Sequence, residues 1–263
     1  MPPSVITGCR RARRREINVA MENYHPMDSF DEAGSADYDN SLRGDEAHTV
    51  DFLAGLAGGG PALELAIGTG RIALPLAGRG IRVDGVDLST AMVAQLRAKP
   101  GGADLAVVIG DMAAVPVEGR YPLVYLVFNT LFNLLTQDDQ VRCFENVAEH
   151  LTDDGVFVVE AFVPSYLHRL RDDQYVDAEQ IGVGQVKLDV GRHDPVAQRL
   201  DESHVVLSPQ GVRVFPIVCR YAWPSELDLM ARIAGLRLKE RWSGWQREAF
   251  TSESRNCVSV YGR

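Results

Sequence analysis

From Asp45 onward, apolar residues switch repeatedly between helical spacing and short unbroken runs. In "EAHTVDFLAGLA", Val50, Leu53 and Leu56 share one helical face, and Gly58 to Gly60 close the segment. "ALELAI" is an apolar run interrupted only by Glu64, which predicts a buried strand, and "RIALPLAGRG" predicts a helix closed by glycine. The alternation continues with "IRVDGVDL" as a strand, "TAMVAQLRA" as a short helix, and "DLAVVIGD" and "YPLVYLVFN" as strands. "DQVRCFENVAEHL" places Val141, Phe144, Val147 and Leu151 on one stripe ahead of the strand "GVFVVEAF". Such alternation predicts an α/β fold with a Rossmann-like, doubly wound parallel sheet covered on both faces.

After Phe162 the period changes. "VKLDV" alternates at period two, His193 to Pro195 mark a turn, and "HVVLSPQGVRVFPIVCRYAW" predicts a hairpin around Pro209 to Gly211. Residues 165–222 therefore read as an antiparallel β insertion after the fifth strand. "PSELDLMARIAGL" restores a helix, with Ser225 and Asp228 at capping-box spacing and Gly235 at its far end. "LRLKERW" and "NCVSVYG" end the chain as two strands. Residues 1–20 show no apolar periodicity and read as a disordered leader, leaving 21–263 as the folded domain.

Charge narrows the function. The chain carries a formal −9, yet its first twenty residues carry +4 from five arginines against Glu16, so the remainder carries −13. An acidic body lacks the clustered cations that hold nucleic acid through its phosphates. Cys9, Cys143, Cys219 and Cys257 form no C-x-x-C pair, so neither a zinc site nor a disulfide framework is expected, and a cytoplasmic setting fits. No apolar run reaches the roughly 18 residues of a membrane-spanning helix. A monomer or homodimer is expected.

Gly68-Thr-Gly70-Arg-Ile-Ala73 satisfies the loose pattern G-x-G-x-x-G/A between a strand and a helix, where small residues let an anionic ligand approach backbone N–H groups. Glu64 sits just upstream. A carboxylate there repels a pyrophosphate and favours a ligand bearing an ammonium group. Asp87, seventeen positions after Gly70, ends the second strand, where an acid accepts both ribose hydroxyls of an adenosine. Asp111 ends the third, where it can accept from an adenine amino group while the Met112 backbone serves a ring nitrogen. Three acids at three consecutive strand ends line the edge at which open α/β sheets bind ligands.

In these residues the chain resembles the class I S-adenosylmethionine-dependent methyltransferases, in their small-molecule branch. "LELAIGTG", "GVDLS", "IGDM", "YPLVYLVFNTLFNL" and "NCVSVYG" carry the resemblance across residues 38–263 apart from the insertion. It implies a seven-stranded sheet whose last strand is antiparallel, S-adenosylmethionine as cofactor, and methyl transfer to an oxygen, nitrogen or carbon of a small-molecule acceptor. Cofactor contacts are expected from Tyr38, Arg43, Glu64, Ala66, Gly68, Gly70, Asp87, Leu88, Asp111, Met112 and Phe128, with Ala66 where the family usually has glycine. Arg43 would fork onto the methionine carboxylate, and Tyr38 would lie over the methionine end. Asn129 would position the reacting groups, with Phe128 and Phe132 enclosing the methyl and Tyr38 as a second candidate in the transfer. The insertion would bind the acceptor. Pro122 stands where many members have an aspartate. No metal is expected, and no histidine stands out as a base, although His168 and His204 flank the insertion. A nicotinamide-dependent oxidoreductase or a non-catalytic S-adenosylmethionine-binding protein are the alternatives.

Overall fold

The computed structural model describes Met21, residues 24–40 and residues 43–263; the expected leader over 1–20 lies outside the described residues. After a short helix α1 (Glu32–Asp37), α2 (Glu46–Ala57) buries Val50, Phe52 and Leu53, and ends where Gly58 turns to a φ of 56°. That left-handed conformation suits a residue without Cβ. Then β1 (Ala62–Leu65), α3 (Ala73–Ala77), β2 (Val83–Asp87), α4 (Thr90–Arg97), β3 (Ala106–Ile109) and β4 (Tyr121–Leu126) follow in the predicted order. Helix α3 is shorter than its pattern, because Pro75 lies within it and Gly78 follows directly.

Helix α5 (Gln137–His150) is capped by the Thr136 side chain and leads into β5 (Leu151–Phe162). Its buried stripe is Gln140, Cys143, Phe144, Val147 and Ala148; Leu151 belongs to the strand and Val141 is only partly buried. A polar residue at the centre of the buried face is tolerated because its amide is fully bonded.

The main sheet runs β10 (Arg237–Trp242), β11 (Asn256–Gly262), β5, β4, β1, β2, β3. β11 is antiparallel to both neighbours, and the other pairings from β5 to β3 are parallel. The seven-stranded sheet with an antiparallel last strand is thus as expected. Alternation along β1 sends Leu63 and Leu65 to a core shared with Phe144, Phe157 and Met230, while Ala62 joins the opposite core of Leu53, Leu76 and Tyr125. Each such fully buried side chain contributes about 1.5–3 kcal/mol. Helix α6 (Pro224–Ile233) covers the first face; Trp223 is its N-cap and makes no side-chain cap bond, so the expected Ser225–Asp228 capping box does not form.

Between β5 and α6 lies a second, four-stranded antiparallel sheet: β6 (Gln174–Gly182), β7 (Gln185–Asp194), β8 (Arg199–Ser208) and β9 (Gly211–Arg220). The predicted hairpin joins Ser208 to Gly211. β6 was not evident in the sequence, because its apolar residues, Tyr175, Val176, Ala178 and Ile181, do not alternate at period two. Among the described residues no helix is long and apolar enough to cross a membrane.

Candidate active site

β1 pairs with β2 on one side and β4 on the other, so the chain order reverses there and a crevice opens at their carboxyl ends. A cavity of about 1030 Å³ starts at this crevice and extends to the second sheet. Tyr38, Glu64, Ala66, Gly68, Asp87, Leu88, Asp111, Met112, Phe128 and Asn129 all line it.

Glu64 is 3% exposed, and its Oε2 accepts from the Tyr125 hydroxyl at 2.8 Å, across the register pair that sets the two side by side. Burial pushes its carboxyl well above the usual range, with the Asp87 charge adding to the shift. Asp87 accepts from the backbone N–H of Gly68 at 2.6 Å and of Ser89 at 2.7 Å, which fixes its carboxylate at the strand end. Burial raises its pKa as well. Two buried acids at neighbouring strand ends, with no ion-pair partner among the described residues, suit a ligand that brings positive charge and hydroxyl groups. Asp111 is exposed, and accepts from Ala113 N–H at 2.8 Å.

The backbone here is strained. Ala66, Phe128 and Asn129 hold φ of 53°, 58° and 62°, a conformation costing a non-glycine residue about 1 kcal/mol or more. Ala66 is therefore less neutral than its size implies. The turn at Phe128 is fixed by Glu160 on β5, 3% exposed, whose carboxylate accepts from Phe128 N–H at 2.7 Å. Asn129 faces the cavity, and among the described residues its amide has no hydrogen-bond partner.

Three of the expected residues do not line the cavity. Arg43 does not line the cavity: its fork closes on Glu160 at 2.5 and 3.0 Å and on Asp45 at 3.0 Å. Gly70, φ 76°, packs so closely on α4 that a Cβ there would collide with Leu96. Phe132 is fully buried and packs edge-on at 4.9 Å behind Phe162, which itself lines the cavity.

A different arginine, Arg71 in the glycine turn itself, stands at the crevice. It lines the cavity with its side chain 11% exposed, lies 4.5 Å over the Tyr38 ring, and donates to the Tyr38 carbonyl at 2.6 Å. Its Nε is buried without a partner. A planar cation with an unused donor, beside the glycine turn, suits a carboxylate.

The other end of the cavity is one face of the second sheet. Asp177, Leu200, Glu202, His204, Ile217 and Cys219 line it, with Tyr166 from the segment joining β5 to β6. His204 Nδ1 lies 2.5 Å from Asp189, and ligand-type atoms of Glu179, Asp189 and His204 fall within 4.8 Å of one another. His168 is not part of this wall; it stacks near His193 and Trp223. Residues 24–30 cover the cavity: Ser29 Oγ donates to the Pro216 carbonyl at 2.5 Å, and Ser89 Oγ to the Phe30 carbonyl at 2.6 Å.

A methyltransferase-domain family model matches residues 62–155. The structure superposes on that of the CcbJ methyltransferase from Streptomyces caelestis with a TM-score of 0.85 and 39% identity, covering 91% of this chain and 99% of that one. The S-adenosylmethionine-bound amino pentose methyltransferase CalS10 from Micromonospora echinaspora shares the fold at a TM-score of 0.65 and 22% identity, over 88% and 96% of the two chains. In sequence, the chain is 26% identical over 205 residues to the cypemycin N-terminal methyltransferase of a Streptomyces species, spanning 78% of this chain and 84% of that protein.

Proposed function

The chain belongs to the class I S-adenosylmethionine-dependent methyltransferases, and from that premise we propose how its own residues divide the cavity. Membership sets aside the oxidoreductase and the non-catalytic alternatives: the protein is an enzyme that methylates small molecules with S-adenosylmethionine. The observation that carries the division is a single cavity running from three strand-end acids to the face of the inserted sheet.

At the strand ends, Asp87 accepts from the ribose hydroxyls and Glu64 faces the ammonium group. Asp111 and the Met112 backbone hold the adenine, and Arg71 takes the carboxylate in place of Arg43. Gly68 and Leu88 supply close backbone and apolar contact. Tyr38 and Phe128 present aromatic surface to the sulfonium end. Bound there, S-adenosylmethionine supplies an electrophilic methyl whose bond to sulfur breaks in line as the bond to the acceptor's oxygen, nitrogen or carbon forms. The protein's part is to align the acceptor, exclude water under residues 24–30, and take up any proton released. Alignment alone can supply about 7 kcal/mol or more of the barrier reduction. Asn129 is a positioning residue: its left-handed backbone, fixed next to Phe128 and Glu160, aims an unpaired amide into the cavity between the two ligands.

The test begins with calorimetric titration of S-adenosylmethionine, followed by an acceptor library with methyl-labelled cofactor. Single-turnover rates at saturating cofactor should fall in Asn129→Ala by about tenfold or more while cofactor affinity changes little. A normal rate, with folded protein quantified, removes Asn129 from the site.

A further inference from the structure

The alternation of the inserted sheet is turned inside out. Two rows, Tyr175–Gly191–Glu202–Ile217 and Asp177–Asp189–His204–Phe215, share the face that looks into the cavity, and they carry the acids and the histidine. The opposite face is apolar. Val176, Val190, Ser203 and Pro216 form one row on it, and Ala178, Leu188, Val205 and Val214 the next. A bulge between Ala178 and Gln180 returns Ile181 to the same side, so a third row runs from Ile181 through Val186 and Leu207 to Val212. Ser203 is the one polar member, and none of the three rows holds a charge. Arg192 and Asp201 pair in the adjoining row as a charged rim.

An antiparallel sheet with one solvated face ordinarily presents its polar residues to water and its apolar ones inward. Here Val176 and Ile181 on one outer strand are 66% and 78% exposed, and Val212 and Val214 on the other 65% and 56%. Val190 and Leu207 on the inner strands are exposed as well, so the described residues leave this face open. A sheet buries an apolar face against a further layer.

We infer that the further layer is the same sheet of a second copy of the chain, the two packing face to face about a two-fold axis. Such a contact sets each patch against its own duplicate, and on a chain of net charge −9 an uncharged face is where two copies meet without opposing like charges. The size also fits. The four strands, about 4.8 Å apart, and the stretch from Val176 to Ile181, at about 3.4 Å per residue, give a face of roughly 19 by 20 Å. Two such faces remove on the order of 1,000 Å² of accessible surface from water, enough for a small specific interface. The first twenty residues are poor occupants, because their arginines would find no acid in these rows. In the docked pair the two sheets form a sandwich, and each outer face lines one cavity, so each copy braces a wall of its partner's cavity from behind. The inference goes beyond the methyl-transfer reading and does not draw on it.

The test is sedimentation velocity of the full chain over a micromolar concentration series, with Val176→Lys/Val214→Lys as the variant. Both positions are exposed, so the variant should keep the native circular dichroism spectrum and affinity for S-adenosylmethionine. The native chain should sediment at twice the chain mass and the variant as a single chain, its dissociation constant for self-association raised about a hundredfold or more by the unpaired ammonium groups it would bury. A native chain that stays single at every concentration overturns the inference, including one that pairs only after residues 1–20 are removed, since the leader then holds the face. A folded variant that associates as tightly as the native chain overturns it too, by placing the contact elsewhere. If the double variant does not fold, Val176→Lys on the edge strand decides alone: a dissociation constant raised about tenfold supports the inference, and an unchanged one overturns it.

Discussion

The two ends of the cavity are built by different means. At the parallel sheet's edge, each acid stands where a strand stops, and its carboxylate is positioned by the backbone of its own turn, as Asp87 is by Gly68 and Ser89. On the inserted sheet no turn is involved: Glu202, Tyr175, Asp189 and His204 meet only because three strands adopt one register. The first wall is local and withstands changes elsewhere. The second depends on every pairing between β6 and β9, which makes it tunable but easily disturbed.

Asp87→Ala should break the comparison most strongly. Loss of the acceptor for two ribose hydroxyls should weaken S-adenosylmethionine binding by about 2–4 kcal/mol in calorimetry. Next comes Gly191→Ala. The added methyl displaces the Tyr175 ring, so acceptor turnover should fall about tenfold at saturating cofactor, with the cofactor dissociation constant unaltered. A matching loss of cofactor affinity would show that the two walls are not independent.

Titration sharpens the contrast further. Burial raises the carboxyls of Glu64 and Asp87 in the free protein, and a cation arriving beside Glu64 favours its ionised form and lowers its pKa again. Binding therefore releases protons, and affinity should rise with pH through the range where the free carboxyls ionise, then level off. Calorimetry in buffers of different ionisation enthalpy should report that release, with affinity lower on the acid side and constant once the free carboxyls are ionised. In Glu64→Gln most of the release should vanish. The smallest effect is expected from Ala66→Gly, which relieves a left-handed alanine and should raise stability by about 0.5–1 kcal/mol in urea denaturation.

The same difference decided what the sequence revealed. Glu64, Asp87 and Asp111 were legible because strand ends and a glycine turn are local patterns, and those patterns place side chains at one edge without further information. Arg43 was misplaced because its captor, Glu160, lies 117 positions away and belongs to another strand. Nothing near Arg43 signals that pairing, whereas Arg71 stood inside the glycine turn and was passed over. The row of Tyr175, Gly191 and Glu202 was illegible for a further reason: period-two alternation assigns a residue to a face but not to its neighbours across the sheet. Gln140 escaped notice because a helical stripe is read from its apolar members.

That glutamine sets the dimensional tolerance of the whole site. Its Nε2 donates to the carbonyls of Leu131, Leu134 and Arg220 at 3.4, 3.0 and 2.7 Å, and its Oε1 accepts from the Arg220 guanidinium at 2.6 Å. Leu131 and Leu134 belong to the turn that begins at Asn129, while Arg220 is the last residue of β9. One side chain is thus the common datum from which both the turn at Asn129 and the last strand of the inserted sheet are measured. Errors in a machined assembly accumulate with each reference between two working surfaces. Here a single reference joins them, so a change at Gln140 shifts the end of β9 directly against the turn at Asn129.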